Sequence, residues 1–242
     1  MTFSKQTEAV IFDLDGTLRH NHPSFFEVFF QALEEHGYRS LCQPEPERTV
    51  RRWVHKYWAQ SPEAEQDLER FGRFTDAFWE NYLRKKIKVM GCPPEVSAEL
   101  ARNIRPDLFE RYQPEPHIPD DIFPTLEAFQ GQGFTLGLVS NRSECFQEEI
   151  GELGLAPFFD FAFTAGKIKA WKPNPEIFQH ALELAGSPPE ETVYVGDNYY
   201  TDVIGAQRAG LQAILIDPRQ VFPDVSCPVI QRIGQLTAFL PR

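Results

Sequence analysis

Cationic side chains are in short supply in this chain. Its 24 lysines and arginines stand against 35 aspartates and glutamates, a formal net charge of -11 over 242 residues. Nucleic acid and anionic membrane surfaces need a basic face, so neither is expected as a partner. Cysteine is scarce too: Cys42, Cys92, Cys145 and Cys227 lie far apart with no CxxC pair. That spacing excludes a zinc ribbon or a disulfide framework and fits a reducing cytoplasm. Long apolar runs are missing. The opening MTFSKQTEAVIF carries one lysine and too short an apolar stretch for a secretory leader, and no later run reaches the length that spans a bilayer. Repeats and low-complexity tracts are absent as well. The expectation is a soluble cytoplasmic protein, either one large domain or one domain with a substantial insertion.

What is present starts with Ala9 to Leu18, AVIFDLDGTL. Four consecutive apolar residues make a short strand of the kind buried on both faces in a parallel sheet. Asp13 and Asp15 then stand at its carboxyl end, where open α/β sheets bind ligands, and Gly16 lets the backbone turn close to a ligand.

From Pro23 to Tyr112 the pattern changes to helical periodicity without a convincing strand. Four helices are expected: PSFFEVFFQALEEHG, with Pro23 in its first turn; ERTVRRWVHKYW; one long helix EAEQDLERFGRFTDAFWENYLRKK; and PPEVSAELARNIRPDLFERY, interrupted near Pro106. Such a set makes a compact bundle. Phe71, Phe74, Phe78 and Trp79 are expected in its core, and Arg84, Lys85, Lys86 and Lys88 on a solvated helix end. Beyond QPEPHIPDD, helices alternate with the strands FTLGLVS, FAFTAG, TVYVGD and QAILID, giving five parallel strands with the first. The tail after Asp217 reads as a surface connection and a terminal helix.

Polar residues recur where these strands end: Ser140 and Asn141 after LGLV, and Asp197 with Asp202 in VYVGDNYYTDVIGA. Lys172, in KAWKPNPEIF, can reach the same rim from the loop before a helix. Two carboxylates about 4 Å apart repel by roughly 4 kcal/mol at an effective dielectric near 20, so several of them need a cation to stay ionised together. Lys172 alone cannot balance Asp13, Asp15, Asp197 and Asp202. A ligand set of oxygens without His or Cys points to Mg2+, which commonly shares a substrate phosphate. With Lys172, the Ser140 hydroxyl and backbone amides after Asp13, it matches the three peripheral oxygens of a phosphoryl group.

AVIFDLDGTL, LVSN, the lysine of KPNPEIF and VGDNYYTD, in that order, resemble the four motifs of the haloacid dehalogenase superfamily. The resemblance covers about Ser4 to Leu18 and Ile118 to Ile216. It implies an α/β fold: a Rossmann-like three-layer core with a parallel sheet, residues 1–18 and 115–242, and an inserted all-helical four-helix bundle, residues 19–114, as a cap. Asp13 resembles the nucleophile that forms an aspartyl phosphate, and Asp15 the general acid and base. Asp13, the Asp15 backbone carbonyl and Asp197 would hold the metal, with Asp202 supporting that end. Ser140 and Lys172 would hold the phosphate, Asn141 would help through its backbone amide, and Thr17 would orient Asp15.

The expected activity is a Mg2+-dependent phosphatase acting on a small phosphorylated metabolite, as a monomer or homodimer. A phosphomutase shares the four motifs, and a catalytically idle binding module shares the fold. The resemblance also implies that dehalogenases lack an acid at the position of Asp15. Gly205, Ala206, Ala209 and Gly210 read as close helix packing. Arg19, His20 and His22, and separately Arg51, Arg52, Trp53 and Lys56, are candidate pocket residues or solvated ones.

Overall fold

The structure is a computed structural model that describes residues 7–240, so the ends of the expected core, residues 1–6 and 241–242, lie outside the described residues. Six strands, β1 (Ala9–Phe12), β4 (Thr135–Ser140), β5 (Phe161–Thr164), β6 (Thr192–Gly196), β7 (Gln212–Ile216) and β8 (Val229–Ile230), form one sheet in the order β5-β4-β1-β6-β7-β8. Every pairing in it is parallel. The two three-residue strands between them in sequence, β2 (His20–His22) and β3 (Glu115–His117), pair separately. The sixth strand corrects the expected five. Two residues cannot display alternation, and β8 is recognisable only from its ladder: Leu215 N–H donates to Pro228 C=O at 3.0 Å and Asp217 N–H to Ile230 C=O at 2.8 Å.

Strand alternation divides the core into two layers. Val10 and Phe12 of β1, Leu136 and Leu138 of β4, and Val193 and Val195 of β6 join one apolar cluster, while Ile11, Val139 and Tyr194 join the other. Two sets of helices cover these faces.

The chain divides into two compact units, Asn21–Pro116 and the remainder. The first holds five α-helices: α1 (Phe25–Glu35), α2 (Pro44–Tyr57), α3 (Pro62–Phe71), α4 (Asp76–Val89) and α5 (Pro94–Arg111). Four were expected, because α3 and α4 read as one helix. Gly72 at φ +79° and Phe74 at φ +59° break them apart, and the Thr75 hydroxyl accepts from Phe78 N–H to start α4. Pro106 does not interrupt α5: it stands on the exposed side, between buried Ile104 and Leu108, so the carbonyl it leaves unpaired costs little there. Pro23 likewise falls outside α1, which Ser24 caps in a box with Glu27.

Two side chains of this unit depart from expectation. Phe74 is 47% exposed, lifted out by the α3–α4 break, whereas Phe78 is fully buried. Lys86, expected in solvent, is 1% exposed and lies 4.0–4.6 Å from the ring centroids of Phe25, Phe26 and Phe29. It faces inward because α4 turns Leu83 and Ile87 into the same core.

In the other unit, α6 (Ile122–Gly131), α7 (Gln147–Glu152) and the terminal turn α11 (Leu236–Phe239) supply Ile122, Leu126, Phe129, Ile150 and Leu236 to the Val10 face. One-turn α8 (Ala165–Ile168), α9 (Pro175–Ala185) and α10 (Ile204–Arg208) supply Ala165, Ile177, Phe178, Ala181 and Ala206 to the Ile11 face. A Cβ on Gly205 would come within 2.7 Å of the Phe178 ring, which is the close packing its small residues suggest. The result is a three-layer α/β core. The four cysteines are free, and among the described residues no helix is long and apolar enough to cross a membrane.

Candidate active site

The chain leaves β1 for β4 on one side and later returns to β6 on the other, so the strand order switches at β1. Such a switch opens a crevice at the carboxyl ends of the strands. Register fixes what meets there. Phe12 aligns with Leu138 of β4 and with Val195 of β6, so the residues that follow, Asp13, Ser140 and Asp197, come to one rim.

Lys172 joins them from the loop before α9. Its Nζ, buried to 1% exposure, donates to Asp13 Oδ1 at 2.6 Å, Asp202 Oδ1 at 2.7 Å and the Tyr194 hydroxyl at 3.0 Å. Val139 C=O, at 3.4 Å, completes the ring of acceptors around the ammonium. Asp202, in the π-turn Tyr199–Val203 that leads into α10, also accepts from Asn198 N–H at 2.9 Å. Asp197 lies close against the β1 turn: a Cβ on Gly16, at φ +89°, would stand 2.5 Å from Asp197 Oδ2. Only glycine fits that turn.

One oxygen from each of Asp13, Asp197 and Asp202 lies within 4.8 Å of the others. Burial pushes the Asp13 carboxyl up to about 7 against the pull of Lys172, with Asp202 and Asp15 adding to the rise. Burial, then the charges of Asp13 and Asp202, also raises Asp197 well above the carboxylate range. Burial works against the Lys172 ammonium as well, but Asp13 and Asp202 outweigh it and hold the amine well above its ordinary value. Three carboxylates thus share one cation. This oxygen-only donor set with a charge deficit fits a hard divalent ion.

Ser140 and Asn141 sit at the end of β4, and both are engaged. The Ser140 hydroxyl accepts from Arg142 N–H at 3.3 Å. Asn141 clamps the Lys172 backbone by its side chain: Oδ1 accepts from Lys172 N–H at 2.7 Å and Nδ2 donates to Lys172 C=O at 3.0 Å. A backbone-amide contribution was expected of Asn141; the side-chain brace is an additional function. Thr17 was expected to orient Asp15. Its hydroxyl instead donates to Asp13 Oδ2 at 3.3 Å, because the tight turn through Gly16 brings it back over the first aspartate.

Asp15 has other partners, which sequence reasoning missed. Arg142 grips it with two donors, Nε to Oδ2 and Nη2 to Oδ1, both at 2.7 Å, and Arg19 Nη1 reaches Oδ1 at 3.2 Å. Glu149 of α7 closes the ring by pairing with both Arg142 and Arg19. The signal was faint: Arg142 immediately follows the Ser140–Asn141 pair, and Glu149 lies seven residues on, in α7. Tyr194 was missed too, although a hydroxyl-bearing ring in a fully buried strand marks a polar neighbour.

The chain is similar to proteins already known. A family model described as haloacid dehalogenase-like hydrolase matches residues 7–210. The chain is 30% identical over 216 residues to the glyceraldehyde 3-phosphate phosphatase of Methanopyrus kandleri, across 86% of this chain and 83% of that one. It is 32% identical over 174 residues to the phosphoserine phosphatase of Thermus thermophilus, across 70% of this chain and 66% of the relative. Among solved structures it is similar to a 2-haloacid dehalogenase from Pseudomonas syringae pv. Tomato, with a TM-score of 0.55 and 26% identity over 97% of this chain and 98% of that one.

Proposed function

Because this chain belongs to the haloacid dehalogenase-like hydrolases, we propose that it is a Mg2+-dependent phosphatase of small phosphorylated metabolites working through an aspartyl phosphate. The observation that carries this reading is the convergence of the Asp13, Asp197 and Asp202 carboxylates, two of them paired with Lys172, at the sheet's switch point. Asp13, the Asp15 backbone carbonyl and Asp197 would hold Mg2+, which supplies charge neutralisation to the phosphoryl oxygens.

Asp13 attacks phosphorus as the Lys172 ammonium and the Ser140 hydroxyl hold the phosphoryl oxygens, with the Asn141 amide beside them. The phosphorus–oxygen bond to the leaving group breaks, and the leaving oxygen takes a proton from Asp15. Asp15 then removes a proton from water, whose oxygen attacks phosphorus, and the bond to Asp13 breaks to release inorganic phosphate. Thr17 orients Asp13 through the hydrogen bond it makes. Asp202 and Tyr194 hold Lys172 in place. On this reading the helical unit is the family's cap and selects the leaving group.

The likeness to a haloacid dehalogenase raises a second reading, displacement of halide by Asp13. Asp15 counts against it, since protonating a leaving oxygen needs an acid and expelling halide does not. Hydrolysis of an aryl phosphate is expected with Mg2+ and is expected to stop in excess chelator. Full activity in chelator, or halide release from a 2-haloacid without phosphate release from any ester, overturns the proposal.

A further inference from the structure

We propose that the groove between α3 and α4 of the helical unit is a binding site for a small phosphate-bearing anion. A cavity of about 540 Å3 lies there, lined by Asp67, Arg70, Phe71, Asn81, Arg84 and Lys85, with Glu80 at its side. That volume holds a small organic molecule. None of these residues belongs to the site around Asp13, so the inference stands apart from the reading of that site.

The charges are arranged unevenly. Asp67 is already used: it accepts from the Tyr57 hydroxyl at 2.9 Å and pairs with Lys85 at 2.6 Å. Lys85 also meets Glu63 at 2.9 Å. Arg70 and Arg84 have no carboxylate partner among the described residues. Arg70 lies over the Phe71 ring, 5.2 Å from its centroid, and Arg84 donates from Nη2 to Asn81 Oδ1 at 2.7 Å. In a chain with a formal charge of -11, a cavity whose two guanidinium groups have no carboxylate partner is a place where an anion is favoured.

Asn81 supplies the second observation. It is 6% exposed, and its Nδ2 has no hydrogen-bond partner. Arg84 is a pure donor, so the amide must turn its oxygen toward the guanidinium and leave its N–H2 group unsatisfied. A buried donor without an acceptor is costly, so the hydrogen bond that holds the Arg84 guanidinium in the groove wall is kept at the amide's expense. Two guanidinium groups on different helices offer donors from several directions. A tetrahedral phosphate accepts from several directions, whereas a carboxylate is planar, and Phe71 and Ala77 provide an apolar wall for an organic remainder.

The test is a titration of the intact protein in chelator with inorganic phosphate, followed by 1H–15N NMR at constant ionic strength, with acetate in a parallel arm. The Arg70 and Arg84 Nε–H signals are expected to shift and saturate with phosphate, and not with acetate. Arg84→Gln and, separately, the exposed Arg70→Gln are expected to weaken phosphate binding at least tenfold, with the rest of the spectrum unchanged. Absence of a saturable shift, an equal shift with acetate, or unaltered affinity in Arg70→Gln overturns the proposal.

Discussion

Asp15 is the residue whose surroundings say most beyond its motif. Both of its oxygens already accept from guanidinium N–H groups of Arg142 and Arg19, so its line of action is set by α7 through Glu149 as much as by the β1 turn. Arg142 is then a positioning residue. Replacing it with Met is expected to lower kcat for an alkyl phosphate, whose poor leaving group needs a proton, by about tenfold or more, and to change kcat for an aryl phosphate much less. Equal losses for both substrates would make Arg142 merely structural. Asp13, Asp15, Asp197 and Lys172 were legible in the sequence because each follows a strand or precedes a helix at a position set by main-chain geometry. Arg142 and Tyr194 were not, since Asp15 and Lys172 lie 127 and 22 residues from them in the chain and no local spacing encodes such pairs; Glu149 pairs with Arg142 across a seven-residue spacing that carries no motif.

Among the elements, α4 is where periodicity was misread and where a stability test is sharpest. Gly72 and Thr75, an ending and a starting signal, stand in the sequence inside one apolar stripe of helical period, which masks the break. The same stripe hid Lys86. Burial, aided by the charge of Arg51 on α2, lowers its amine well below the ordinary value of 10.5. The Phe25, Phe26 and Phe29 rings of α1 offset part of that penalty. Lys86→Met is therefore expected to raise stability by on the order of 1 to 2 kcal/mol at neutral pH. Above about 10.5 the amine is neutral folded or unfolded. As pH falls below that, the unfolded chain takes up the proton first, so the wild type loses stability relative to the variant until the folded amine is protonated as well. Denaturant melts across this range would show the gap widening from alkaline toward neutral pH. A gap that does not vary with pH would mean that the rings compensate the burial fully. β8 and the β2–β3 pair escaped notice for a simpler reason: strands of two or three residues have no period to read.

At the scale of the molecule, the α/β core was legible because alternating helices and apolar strands leave few topologies, and the insertion after β1 was legible as a change of period. On the proposed reading, that helical insertion selects small leaving groups, so the intact protein is expected to hydrolyse phosphorylated metabolites and leave folded phosphoproteins untouched. Comparable rates on the two classes, measured as phosphate release, would remove the helical unit from substrate selection. The covalent step at Asp13 is tested most directly by mass spectrometry of the protein quenched in acid during turnover of an aryl phosphate with Mg2+. A phosphoryl group is expected on the peptide that contains Asp13 and nowhere else, and Asp13→Asn is expected to show neither the adduct nor turnover. Turnover that continues in Asp13→Asn, or an adduct confined to another residue, would contradict the assignment of Asp13 as the nucleophile.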